Sequence, residues 1–200
     1  MKLFATLAIG SLLAANAALA VPTPGQRAPE FRATDIAGKP VALADFKGKY
    51  VVLEWNNPNC PFVQKHYDSG NMQSLQKRFG ADNVAWLSIN STSPSHRDYM
   101  APDKLATWFR QHNAAPTAVL MDPKGEVGRA YGAKVTPHMY VIDPKGMLVY
   151  AGAIDDKRSS NPADVKTATN FVQAALAEAR AGKAISIASN SAYGCTIKYD

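Results

Sequence analysis

The chain has 200 residues, 46% of them hydrophobic and 19% charged, with a formal net charge of +6 at pH 7. That length suits one domain around a single core. The basic excess is moderate and scattered, and without a Lys/Arg cluster interleaved with aromatics it argues against a nucleic-acid partner.

Met1 to Ala20 combine Lys2, an apolar run from Leu3 to Leu13 and the small-x-small sequence Ala18-Leu19-Ala20. This is the pattern of a signal peptide cleaved after Ala20. The run is shorter than the ~20 apolar residues that a bilayer span needs. The expectation is therefore an exported protein, periplasmic or secreted, with no stable membrane anchor. Such a chain meets an oxidising compartment, where its two cysteines, Cys60 and Cys195, pair or react.

Residues 21–182 are expected to form the domain and 183–200 a C-terminal tail carrying Cys195. The Pro-rich residues 21–30 read as an extended arm, and Phe31 to Asp45 as a short hairpin around Gly38-Lys39. Tyr50 to Trp55 is β-branched and apolar over most of its length, as befits a strand covered on both faces. The polar Asn56 to Asn59 ends it, and Pro61 is placed as the first residue of a helix, where its missing N–H costs nothing. Met72, Leu75 and Phe79 continue that helical spacing to Gly80. Val84 to Ile89 is the next strand, Leu105, Trp108 and Phe109 give a helix face, and Thr117 to Met121 is a further strand closed by Asp122-Pro123-Lys124-Gly125. After Val135-Thr136-Pro137, Met139 to Ile142 and Leu148 to Ile154 form an antiparallel pair. A last helix runs from an Asn161 cap through Val165, Val172 and Leu176 to Gly182. The order β-α-β-α-β-β-α is that of an α/β domain, a central mixed sheet flanked by helices.

Cys60 falls at the junction of strand and helix. The thiolate is the reactive form of cysteine, and the free N–H groups of a helix N-terminus favour it. Reactive groups also gather in the crevice beyond the C-terminal ends of parallel strands. A buried, inert cysteine is the alternative at this position.

A strand, Cys60-Pro61 at a helix start, and a later Thr136-Pro137 before another strand together resemble the thioredoxin superfamily. The resemblance is to its redoxin (AhpC/TSA) branch of exported thiol-disulfide oxidoreductases and peroxiredoxin-like proteins. Ala28-Pro29-Glu30-Phe31, Asp122 to Gly125 with Ala130-Tyr131-Gly132, and Val141-Ile142-Asp143 extend the match over about residues 24–180. It implies a thioredoxin-like fold in which Pro137 is cis and faces Cys60, with the backbone of Thr136 open to a bound polypeptide or thiol. Two positions depart from the patterns of that superfamily. Val63 stands where thioredoxins carry a second cysteine, so a local dithiol is impossible, and Asn57 stands where peroxiredoxins place Thr or Ser. Asn59 to Tyr67, with the terminal Tyr193-Gly194-Cys195-Thr196-Ile197-Lys198-Tyr199, is similar to the peroxiredoxin-like subgroup that keeps only the first thioredoxin cysteine.

Cys195 follows Cys60 by 135 positions, in a segment whose Ser, Asn and Gly suggest mobility. Closing so long a loop costs little more than closing a short one. The expected chemistry is attack by Cys60 on a sulfur or a peroxide, with Cys195 resolving the adduct as a disulfide. Trp55, Asn57, Pro61 and His138 are expected on the substrate side. Lys65, Tyr67 and Asn57 either tune Cys60 or form a solvated face and a loop cap. No bound cofactor is expected; partners are a protein or small thiol, a disulfide or a peroxide, and an external redox partner. Two other classes stay open: a copper or zinc chaperone using Cys60, Cys195 and His138, and a binding module stapled by a permanent Cys60–Cys195 bridge. Asn90-Ser91-Thr92 matches a glycosylation acceptor.

Overall fold

The run Val51–Trp55 is strand β3, and all five of its residues are buried. It owes that burial to an interior place in a seven-stranded sheet, paired on both edges and covered on both faces. The computed structural model describes residues 21–200; the expected signal peptide, Met1 to Ala20, lies outside the described residues. In chain order the remaining elements are β1 (Arg32–Asp35), β2 (Pro40–Ala42), α1 (Pro61–Asp68), α2 (Asn71–Ala81), β4 (Ala85–Asn90), α3 (Pro102–Gln111), β5 (Ala118–Met121) and α4 (Glu126–Tyr131). Then follow β6 (Val135–Thr136), β7 (His138–Ile142), β8 (Leu148–Gly152), α5 (Phe171–Arg180) and β9 (Cys195–Thr196).

The sheet order is β2-β1-β5-β4-β3-β7-β8, with β3, β4 and β5 parallel, β7 antiparallel to β3, and β8 antiparallel to β7 at the edge. The expected hairpin is β1–β2, added antiparallel to β5 at the far edge. Alternation along the strands sends side chains to two faces. On one face Val52, Trp86, Met139, Val141 and Tyr150 pack beneath α1, α2, α3 and α5, and Cys60 belongs to this layer. On the other, Leu53, Trp55, Leu87, Leu120 and Tyr140 pack against α4 and the N-terminal arm.

One polar group sits inside the first layer. Glu54 is fully buried and accepts hydrogen bonds from Tyr67 Oη at 2.8 Å, Asn56 Nδ2 at 2.9 Å, Trp86 Nε1 at 2.7 Å, Ser88 Oγ at 2.8 Å and Gln76 Nε2 at 3.4 Å. A buried carboxylate is tolerated only when so supplied with donors.

Four features differ from the sequence expectation. The helix after Cys60 breaks at Gly70, whose φ of 74° needs glycine, so α1 and α2 are separate. Helix α4 lies between two left-handed glycines, Gly125 and Gly132, over residues for which no element was expected. Asn161 caps a short 3₁₀ turn over Pro162–Thr167, accepting from Ala163 N, and α5 begins afresh at Asn170, whose side chain accepts from Gln173 N. The tail, expected to be mobile, is docked on the domain through β9.

Candidate active site

The loop after β3 positions Cys60 as the N-cap of α1, with Pro61 in its first turn. Asn57 builds the approach: its side-chain Oδ1 accepts from Asn59 N at 2.9 Å and its carbonyl from Cys60 N at 3.0 Å. Asn57 is 6% exposed and serves as a loop cap, while Pro61 is exposed on the rim. Cys60 is 1% exposed, and its Sγ donates to the carbonyl of Thr136 at 3.1 Å. The Thr136–Pro137 peptide is cis, as the resemblance implies.

The other partner of Thr136 is the tail. Strand β9 pairs antiparallel with β6, Thr136 opposite Cys195 and Val135 opposite Thr196. Close approach depends on Gly194: a Cβ there would lie 1.9 Å from the Thr136 carbonyl oxygen, and φ is +141°. Cys195 thus comes to rest beside Cys60, and both are free thiols. Burial, the Cys60 thiol and its charge push the Cys195 thiol up to about 12, against the weaker pull of Lys198 and the Phe62 N–H.

Two anchors hold the tail on either side of Cys195. Upstream, Tyr193 is 6% exposed; its hydroxyl donates to Asp155 Oδ1 and accepts from Lys65 Nζ at 3.3 Å, and its ring meets Phe62 edge-on at 5.8 Å. Lys65 is itself buried, 3.3 Å from Asp155 Oδ2, and donates to the Lys157 carbonyl at 2.6 Å. Downstream, Ile197 N donates to the Lys134 carbonyl at 3.0 Å and Tyr199 Oη to the Ala133 carbonyl at 2.9 Å, while Asp200 takes hydrogen bonds from Ser93 and Ser95.

Other residues singled out in the sequence stand elsewhere. Trp55 is fully buried on the opposite face of the sheet, bonded to Ser91 Oγ at 3.0 Å and packed on Tyr131 and Tyr140. His138 lies across from Trp55 in the β3–β7 register and stacks on Tyr140 at 4.6 Å. Its Nδ1 is engaged by Lys134 N and Tyr140 Oη, and burial, then Lys134, lowers it to about 4. It lines a cavity of about 460 Å³ with Tyr131, Lys134 and Asn190, on the side of β7 away from Cys60. Lys65 serves Asp155 and Tyr193, and Tyr67 serves Glu54, so neither hydrogen-bonds Cys60. Asn90, Ser91 and Thr92 are 1–3% exposed, which closes that acceptor motif. Among the described residues no group of three or more His, Cys, Asp or Glu is arranged to hold a metal ion. The Lys65–Asp155–Tyr193 cluster was not expected from the sequence, in which Tyr193-Gly194-Cys195 near the chain end is its one signal.

The AhpC/TSA family model matches residues 24–151, a span that includes Cys60 and Pro137 and stops short of the tail. The thioredoxin-like protein YneN of Bacillus subtilis is 27% identical over 143 residues, covering 70% of this chain and 79% of YneN. The thiol-disulfide oxidoreductase ResA of Bacillus cereus is 29% identical over 125 residues, covering 62% of this chain and 66% of ResA. A crystal structure of a conserved protein from Geobacillus kaustophilus superposes with a TM-score of 0.77 at 26% identity, covering 90% of this chain and 94% of that one. Cysteine at the cap of α1, cis Pro137 opposite it, and the matched span place the chain in the AhpC/TSA family, the redoxin branch of the thioredoxin superfamily.

Proposed function

We propose that the protein is an exported thiol-disulfide oxidoreductase in which Cys60 is the nucleophile and Cys195 the resolving thiol. The observation that carries this reading is the meeting of two thiols at the Thr136 carbonyl. The chain's similarity to ResA, a thiol-disulfide oxidoreductase, supports the same reaction class.

In the reducing direction, Cys60 loses its proton and attacks one sulfur of a substrate disulfide. A mixed disulfide forms, and the other substrate sulfur leaves as a thiolate that takes up a proton. Cys195 then attacks the Cys60 sulfur, passing its proton to the departing substrate sulfur. Two electrons have moved from the cysteine pair to the substrate, and an external dithiol reductant restores the pair. The raised Cys195 thiol favours this order, since a thiol that holds its proton is the weaker first attacker near neutral pH.

Cys195→Ser supplies the test. Incubated with glutathione disulfide, that variant accumulates one mixed disulfide, mapped by mass spectrometry to Cys60, whereas wild type passes on to the internal bridge. Absence of an adduct at Cys60, with the fold intact, overturns the assignment. Export rests on the Lys2, apolar and Ala18-Leu19-Ala20 pattern, and is checked by N-terminal sequencing of the exported protein, expected to begin at Val21.

A further inference from the structure

The edge of β6 beside Pro137 is occupied by the protein's own chain. Strand β9 takes the antiparallel position on Val135–Thr136, Gly194 lies flat against the Thr136 carbonyl, and Cys60 beneath is 1% exposed. With Cys195 of this segment beside Cys60, a substrate that approaches the sulfur along the β6 edge must displace the segment.

What holds the segment is unusual in its placement. Lys65 and Asp155, 1% and 2% exposed, form a direct ion pair in the layer beneath the tail, and the Tyr193 hydroxyl is bonded to both. Hydrogen bonds to buried charges are stronger than neutral ones. Tyr193 precedes Cys195 by two residues, so seating its hydroxyl sets the register in which Cys195 meets Thr136. His66 closes the cluster, its Nε2 3.8 Å from Asp155 Oδ2 and without a hydrogen-bond partner.

We propose that residues 193–197 are a strap standing in the place of an extended polypeptide substrate, and that Tyr193, seated on Lys65 and Asp155, is the positioning residue that decides how often the strap opens. The proposal rests on the reading of Cys60 as nucleophile. It makes the substrate a polypeptide with an extended cysteine-containing segment, able to replace β9 strand for strand.

The test compares wild type with Tyr193→Phe, which deletes one oxygen, and with Gly194→Ala as an independent way to lift the strap. Cys60 alkylation by iodoacetamide is followed by mass spectrometry, together with disulfide exchange between Cys60 and a synthetic extended peptide activated as a mixed disulfide. Loss of one hydrogen bond to a buried charge raises the open population about tenfold or more, and both rates rise with it. Below the unfolding transition, the increase is expected to be insensitive to urea, because local opening exposes little surface. A purely structural role would instead give alkylation that tracks global unfolding. Unchanged Cys60 rates in both folded variants overturn the strap. If the rates rise but no Cys60–Cys195 bridge ever follows peptide exchange, the strap stands and the oxidoreductase reading falls. If the bridge cycles while the rates stay at wild-type values, the reverse holds.

Discussion

Gly194 lies against the Thr136 carbonyl, the same oxygen that accepts the Cys60 thiol at 3.1 Å. One carbonyl thereby brings together the cap of α1, the cis-proline turn and the C-terminal tail. Two identities follow: a thiol at the cap position that reaches this oxygen, and a glycine whose lack of a Cβ lets the tail lie against it.

Replacing Gly194 by Ala puts a methyl 1.9 Å from that oxygen at a φ that disfavours side chains. The expected cost is about 1–3 kcal/mol. It falls on the tail: amide hydrogen exchange at Ile197, which is bonded to Lys134, is expected to accelerate while β3 stays protected. Equal protection in wild type and variant would mean that the tail backbone does not need the close approach.

Glu54→Gln tests the buried carboxylate. The side chain accepts from Tyr67, Asn56, Trp86, Ser88 and Gln76, and an amide would present donors to donors. Leaving several buried donors unpaired is expected to cost about 2–5 kcal/mol, read as a shift in the urea midpoint at unchanged m-value. A variant as stable as wild type would show that these donors find other partners.

How much of this was legible in the sequence divides along physical lines. Apolar runs such as Val51–Trp55 and the Cys60-Pro61 junction are local signals, and each forms the expected element. The cis Thr136–Pro137 bond came from resemblance, because nothing local demands it. The breaks at Gly70 and before Asn170 escape a periodicity reading, since apolar spacing continues across both. Lys65 reads as a helix-surface cation until Asp155 and Tyr193, distant in sequence, enclose it. His138 lies next to Pro137, yet strand alternation sends it to the opposite face from Cys60.

Acid should loosen the cluster under the tail. His66 is fully buried, and desolvation lowers it to about 4, with Asp155 opposing and Lys65 adding to the shift; Asn71 Nδ2 lies 2.9 Å from its Nδ1. Below the unfolded value of about 6.5 the unfolded chain binds a proton that the folded chain refuses until pH 4. Stability contributed by neutral His66 is thus complete above pH 6.5 and is lost on descending to 4, by a total on the order of 3 kcal/mol. Urea unfolding from pH 7 to 4 measures this, and His66→Gln is expected to flatten the profile in that window. An unchanged slope in the variant would assign the acid sensitivity to other groups.

The central claim is that Cys60 and Cys195 form a working redox pair, and the most direct measurement is its equilibration against a glutathione redox series at neutral pH, with thiol states read by alkylation and mass spectrometry. The account predicts a bridge that forms and breaks reversibly in the folded protein, with Cys60 carrying the mixed disulfide with glutathione. A bridge that yields only after unfolding, or a pair that stays reduced across the whole series, would contradict it.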